Sequence, residues 1–312
     1  MNLNQLKYVM AVHEHRHFGK AAVHCDVTQA TLSAMIKKLE EELGLVLFDR
    51  DKQPTVITEA GLQVVKIAKD MLSKQQELLD LSKNTSTSLK GTFKLGIIPT
   101  VANSLLPLIL PSLLEQHPDL ELTIAEITTE EIIHRLKEDR IDVGILATPL
   151  EEEELEENIL YYETMMVYGV SDPKKKFIAP KDVQDEKVWL LEEGNCFRNQ
   201  SMTICDIQEK SNYPNKLHFE GSSFDTLLNL SDHFGGITLV PELYHNLMSE
   251  SKQKRTRMFK APYPVREISA VYYRPFAKKN SIDLLSEHIK KLITPRLIST
   301  TLPKKDLSII GI

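Results

Sequence analysis

Apolar residues at the start of the chain recur at helical spacing: Leu3, Leu6, Val9, Met10 and Val12 share one face. Ala21, Ala22 and Val23 predict a second, short helix whose small side chains let a neighbour approach closely. "CDV" (Cys25 to Val27) interrupts the pattern. Thr28 is then placed to cap a third helix, whose stripe is Leu32, Met35, Ile36 and Leu39. Helix, break and helix over so short a span predict a helix-turn-helix. The outer face of the third helix carries Gln29, Thr31, Ser33 and Lys37. These are short donors and acceptors plus a cation, the side chains that read base edges and phosphates. Any small helical subdomain has a polar outer face, so the pattern alone does not fix DNA as the partner. "FDRDKQPTVITEAG", with its proline and the alternation at Val56 and Thr58, predicts a two-stranded wing. From Thr58 to about Leu81 the apolar positions Leu62, Val65, Ala68, Leu72 and Leu79 predict one long helix suited to pairing with a second copy. "SKNTSTSLKG" (Ser82 to Gly91) is polar and without period, which predicts a hinge.

Beyond Gly91 the period changes. "TFKLGIIPT" reads as a buried strand, "LLPLILPSLLEQHPD" as a helix, "LELTIAEIT" as a strand, "TEEIIHRLKEDRI" as a helix and "DVGILA" as a strand. This alternation predicts a parallel α/β sheet. A second set begins near "LYYETMMVYGV"; "GGITLVPELY" is a strand running into a helix, "EISAVYYRP" a late strand and "SIDLLSEHIKKLI" a closing helix. Two α/β lobes with the chain crossing over and returning are expected. Ligands of open α/β sheets bind beyond the carboxyl ends of strands. "IIPT", "AEITT" and "LLEEGNC" are such ends, so Thr100, Thr129 and Cys196 are expected to face one cleft.

At 312 residues, 42% hydrophobic and 26% charged, the chain has the composition of a soluble globular protein with two or three domains. It has no run of 18 apolar residues, so no membrane span is expected. The N-terminus lacks the basic and apolar regions of a signal peptide, which points to a cytoplasmic protein. Net charge is −6, and the first ninety residues are close to neutral, so charge does not advertise nucleic acid. Three cysteines make no disulfide framework; in a reducing compartment a disulfide is transient, catalytic or a sensor.

Two of those cysteines, Cys196 and Cys205, lie nine residues apart in "EEGNCFRNQSMTIC". Zinc favours CxxC spacing with further ligands, and the nearest, His218, is isolated; no metal or other cofactor is expected. Burial in the core and a redox pair remain. If the segment is one α-helix, nine steps of about 100° put the thiols on opposite faces roughly 13.5 Å apart along the axis. A disulfide needs Cα atoms about 4.4–6.8 Å apart. A bridge then requires the helix to melt, coupling one covalent event to a refolding. Arg198, two residues on, and the backbone N–H groups of a strand-to-helix turn are expected to lower the Cys196 pKa. Cys205, among apolar residues, is the less activated partner. Cys25, in the turn, reads as a small buried hydrophobe.

"FGKAAVHCDVTQATLSAMIKKLEEELGLVLFDR" followed by "TEAG" resembles the winged helix-turn-helix of the LysR-type transcriptional regulators. The resemblance implies that the helix opening at Thr28 reads the major groove, with Gln29, Thr31, Ser33 and Lys37 as DNA contacts and Arg50 and Lys52 beside the wing. It also implies a dimerising linker helix and a two-lobed effector domain of the periplasmic-binding-protein type. The implied boundaries are 1–58 for DNA binding, 59–91 for linker and hinge, and 92–301 for the effector domain, with a tail at 302–312. Lobe I would take 92–162 and 268–301, and lobe II 163–267. "LLEEGNCFRNQSMTIC", "LHFEGSSFDTLLNL" and "GGITLVPEL" are similar to the peroxide-sensing branch of that family. That likeness implies that Cys196 reacts with hydrogen peroxide and Cys205 completes an intramolecular disulfide. Thr100, Thr129 and the arginine of "YRP", Arg274, would line the peroxide pocket, with Asn195 and Arg198 beside the thiol. Two positions depart from the pattern. Asn195 and Asn199 stand where that branch commonly has histidine and aspartate, and asparagine is no general base near neutral pH. The implied partners are double-stranded promoter DNA, further copies of the chain as dimer or tetramer, and RNA polymerase. A LysR-type regulator of a small molecule is the alternative. A thiol peroxidase is a third reading, against which the helix-turn-helix stands, since catalysis does not need one.

Overall fold

The computed structural model describes residues 1–50, 52, 54–81, 88–170, 176–183, 186–205, 221, 223–273 and 278–311; within the long helix nothing is said of the side chains of residues 73 and 76–81. The chain divides into two compact units, Met1–Ser86 and Thr87–Arg274 with Lys279–Ile312.

The first unit has helices α1 (Leu3–His15), α2 (Phe18–His24) and α3 (Gln29–Leu43), strands β1 (Phe48–Asp49) and β2 (Val56–Ile57), and helix α4 (Glu59–Leu81). The caps follow the sequence. Asn2 forms a capping box with Gln5, and Thr28 accepts the Thr31 N–H at the start of α3. Leu32, Ile36 and Leu39 of α3 are fully buried against Leu6, Val9 and Val12 of α1, Ala21 and Ala22 of α2, and Val65 and Ala68 of α4. Val23, expected among the packing residues of α2, faces outward at 81% exposure. β1 and β2 pair antiparallel as the wing. "TEAG" has a local reason. Thr58 Oγ accepts the Gly61 N–H (2.9 Å) and donates to the Val46 carbonyl (2.6 Å). A Cβ on Gly61 would lie 2.3 Å from the Leu47 carbonyl oxygen, so only glycine admits this close approach.

The second unit is built on one mixed sheet. Its strands are β3 (Gly91–Ile97), β4 (Leu120–Glu126), β5 (Val143–Thr148), β6 (Leu155–Tyr168), β7 (Phe177–Ile178), β8 (Thr238–Pro241), β9 (Thr256–Phe259), β10 (Tyr263–Tyr273) and β11 (Leu307–Ile309). Helices α5 (Pro99–Gln116), α6 (Thr129–Lys137), α7 (Cys196–Cys205), α8 (Phe224–Phe234), α9 (Glu242–His245), α10 (Glu250–Gln253) and α11 (Lys279–Ile293) cover it. The order is β4-β3-β5-β10-β6-β9-β7, with β11 beside β10 and β8 beside β6. The expected parallel βαβαβ set is β4-β3-β5. The sheet as a whole is not parallel, because β10 runs antiparallel to both β5 and β6. The two long strands β6 and β10 run side by side through the middle of the sheet.

Two expected boundaries shift. Leu89 is buried and its N–H donates to His117 Nδ1 (3.2 Å), so residues 88–91 belong to the second unit rather than to a hinge; the rest of that segment lies outside the described residues. The expected C-terminal tail contains β11, which adds a parallel strand to β10. Among the described residues no helix is long and apolar enough to cross a membrane.

Candidate functional site

Three helices of the second unit begin at one point. α5 starts at Pro99, α6 at Thr129 behind its cap Thr128, and α7 at Cys196. Ile98, Pro99, Thr128, Thr129 and the segment Glu192 to Cys196 line one cavity of about 40 Å³. The loop that delivers Cys196 turns at Gly194, whose φ of +80° disfavours residues with a Cβ. Asn195 then caps α7: its side-chain oxygen accepts the Phe197 N–H at 3.0 Å. The starts of three helices thus line one cavity, and α7 turns its own first N–H groups, those of Cys196 and Phe197, toward the thiol.

The Cys196 thiol is hydrogen-bonded to Thr129 and lies within the field of Arg266. Burial dominates, however, and holds its pKa above the ordinary thiol value; Arg266, Thr129 and the backbone N–H groups of Phe197 and Cys196 pull the other way. The expectation of a lowered pKa is therefore corrected: desolvation outweighs the local donors.

The cation assigned to the thiol changes as well. Arg198 donates to the Leu191 carbonyl at 2.8 Å. Two helical steps from Cys196 turn its side chain by about 200°, away from the sulfur. Asn195, expected as thiolate support, serves as a helix cap. Arg274 lies outside the described residues. The arginine near Cys196 is Arg266, from the middle of β10. It is fully buried, with Nε on Glu163 at 2.7 Å and its two terminal nitrogens on the Thr100 hydroxyl (3.1 Å) and carbonyl (3.0 Å). Its guanidinium sits 5.1 Å from the Phe197 ring centre. Glu163 and Arg266 are direct cross-strand partners in the β6–β10 register. A lone arginine in the apolar run "YPVREISAVYY" and a lone glutamate in "YYETMMVYGV" were the available signals, because buried charge requires a partner. Thr100 is buried and reaches the site through Arg266 rather than lining the cavity.

Cys196 and Cys205 are both free. α7 buries Phe197, Ser201, Ile204 and Cys205, one helical face, in a core with Trp189, Phe224, Leu228 and Val240. Phe197 meets Phe224 edge-on at 5.0 Å. Gln200, also buried, donates to the Ile310 carbonyl at 3.0 Å, tying α7 to the segment after β11. Cys205 is fully buried and desolvation pushes its pKa up to about 12.

In the first unit the expected DNA-facing residues behave differently from one another. Gln29, Thr31 and Lys37 are exposed on α3, and Lys37 has only a long contact to Glu41 (3.9 Å). Arg50 donates to Ser33 Oγ (3.0 Å) and to Glu40 (2.7 Å), joining wing to helix. Lys52 lies 3.4 Å from Asp49.

Comparison with known proteins matches both units. Residues 3–62 match "Bacterial regulatory helix-turn-helix protein, lysR family", and residues 86–293 match "LysR substrate binding domain". The "DNA-binding transcriptional dual regulator OxyR" of Escherichia coli (strain K12) is 33% identical over 93% of this chain and 95% of its own. Full-length OxyR of Pseudomonas aeruginosa, solved as a cysteine variant, superposes with a TM-score of 0.71 at 28% identity, covering 93% of this chain and 98% of that one. A hydrogen-peroxide-bound OxyR variant of Corynebacterium glutamicum gives a TM-score of 0.62 at 27% identity over 98% and 96%.

Proposed function

This chain belongs to the LysR family of bacterial helix-turn-helix regulators, and from that premise we propose that it is a DNA-binding transcriptional regulator that senses hydrogen peroxide through Cys196. The carrying observation is the environment of that sulfur: it opens on a cavity of about 40 Å³ lined by the starts of three helices, its thiol is hydrogen-bonded to Thr129, and it lies in the field of the buried Arg266. The described walls suit a molecule slightly larger than water. Pockets for drug-sized ligands run to about 300–1,000 Å³, which disfavours a metabolite at this site.

The chemistry follows from the residues. The Cys196 thiolate attacks one peroxide oxygen, the O–O bond breaks, and the sulfur becomes a sulfenic acid while hydroxide leaves and takes up a proton. Thr129 and the helix ends stabilise the thiolate, and Arg266, held rigid by Glu163 and Thr100, keeps positive charge beside it. The Cys205 thiol then displaces the sulfenic oxygen as water, forming the Cys196–Cys205 disulfide. That bridge is incompatible with α7, so oxidation reshapes the second unit. Within the reading, Gln29, Thr31 and Lys37 contact promoter DNA, Ser33 and Arg50 brace the wing, and Lys52 meets the backbone. The exposed apolar residues Ile67 and Met71, one turn apart on α4, serve as the dimer seam. Tetramer formation and contact with RNA polymerase complete it.

The test is a thiol count on purified protein before and after one equivalent of hydrogen peroxide, with DNA footprinting in both states. Loss of two thiols per chain with an altered footprint supports the reading. Unchanged thiols point to a different effector, and sustained peroxide turnover points to an enzyme.

A further inference from the structure

The first unit holds a cluster that DNA binding does not use. Glu14, His15 and His24 each offer one donor atom, and the three donors lie within 4.8 Å of one another. The site forms where two helices end. His15 is the last residue of α1 and His24 the last of α2, and their rings stand 4.8 Å apart. Helix C-termini present negative backbone ends, which favour a cation. A second observation points the same way. His15 Nε2 is buried and has no hydrogen-bond partner among the described residues, an arrangement that costs stability unless something binds there. Glu14 and His24 are exposed. They also line a wider cavity with Asn4, Lys7, Tyr8 and Cys25.

We propose that Glu14, His15 and His24 form a binding site for a divalent transition-metal ion of the zinc type, joining the ends of α1 and α2 in the DNA-binding unit. Two imidazoles and one carboxylate are a zinc donor set. At ordinary bond lengths of about 2.0–2.2 Å, tetrahedral donors stand about 3.3 Å apart. Rotation of the two exposed side chains covers the remaining distance, and water fills the fourth position. The neighbouring histidines are occupied elsewhere: His17 Nδ1 accepts the Gly19 N–H, and His13 lines a different cavity with Arg16. No spacing rule marks this cluster, because a ligand pair nine residues apart on two helices matches no recognised metal motif. A bound ion clamps α2 to α1 and so stiffens the support on which α3 rests.

The experiment uses full-length protein freed of metal by a chelator and kept reduced, with ZnCl2 as probe in isothermal titration calorimetry and thermal melts. One ion per chain is expected, with a rise in melting temperature. His24→Ala and Glu14→Gln should each weaken binding at least tenfold while leaving the metal-free melt unchanged, because both side chains are exposed. Cys196→Ser should bind as wild type does. Absence of saturable binding, equal binding by His24→Ala, or loss of binding in Cys196→Ser alone would each overturn the proposal. The last would place the ion at the redox thiols.

Discussion

Cys196 and Cys205 are the first and last residues of one helix, α7. Its rise separates their backbones by roughly 13.5 Å, about twice what a disulfide spans. Cys205 is also packed in the core beside Trp189, the single tryptophan of the chain. Forming the bridge must therefore unwind α7 and withdraw Cys205 from that core. We expect amide hydrogen exchange in residues 196–205 to accelerate on oxidation and Trp189 emission to shift. A disulfide proven by mass spectrometry together with unchanged exchange in α7 would contradict this.

Arg266 and Arg198 should respond oppositely to substitution. Arg266→Lys keeps the charge but loses the fork onto Thr100, and the sulfenylation rate should fall about tenfold or more, which is roughly 1.4 kcal/mol of transition-state stabilisation. Arg198→Ala, remote from the sulfur, should stay within about twofold. Competition kinetics with a sulfenic-acid probe separates the two. Arg266→Met is the wrong probe, because it strands Glu163 in the core at a cost of about 3–5 kcal/mol.

The raised Cys196 pKa makes the sensor pH-dependent. The nucleophile is the thiolate, a minor species at neutral pH, so the peroxide rate should climb by up to about tenfold per pH unit from 7 to 9. Stopped-flow measurement on Cys205→Ser, which stops at the sulfenic acid, reads this directly. A rate independent of pH over that range would mean that the thiol is already ionised.

Cys205 predicts a stability effect of definite sign. Its folded pKa of about 12 lies above the ordinary thiol value of 9.0. Unfolded chains release that proton first, so its contribution is complete below about pH 9 and is lost between about 9 and 12. The slope approaches 1.4 kcal/mol per pH unit. Denaturant melts of the reduced protein from pH 8 to 10 should show the gap between wild type and Cys205→Ala narrowing as pH rises. A constant gap would indicate a normal pKa.

On the DNA side, Lys37 is exposed and weakly paired, whereas Arg50 bridges Ser33 and Glu40. Lys37→Ala should weaken DNA binding and reduce the salt slope by about one without altering stability. Arg50→Ala should weaken binding and also lower the melting temperature of the first unit. A salt titration of DNA binding, paired with thermal melts, distinguishes them.

The helix-turn-helix was legible because its signals are local. The stripe of Leu32, Ile36 and Leu39, the Thr28 cap and the glycine after Thr58 act within one or two turns of the residue that carries them. The α/β alternation was legible for the same reason, although the antiparallel placing of β10 between β5 and β6 was not. Strand order depends on pairing between distant segments, which periodicity does not encode.

At the thiol, sequence proximity misled. The chain by itself determined that two cysteines nine apart cannot be bridged within one helix, since that follows from helical rise alone. It also made Arg198 look like the activating cation, because it stands two residues away. Tertiary structure decided otherwise: α7 turns Arg198 from the sulfur, while the β6–β10 register brings Glu163 opposite Arg266 and sets that pair beneath the site. It also decided that Cys196 is hard to ionise, since desolvation depends on what covers the sulfur and every covering group except its own turn arrives from elsewhere in the chain. Helix geometry is a property of neighbours along the chain, whereas charge and burial at a site are properties of neighbours in space.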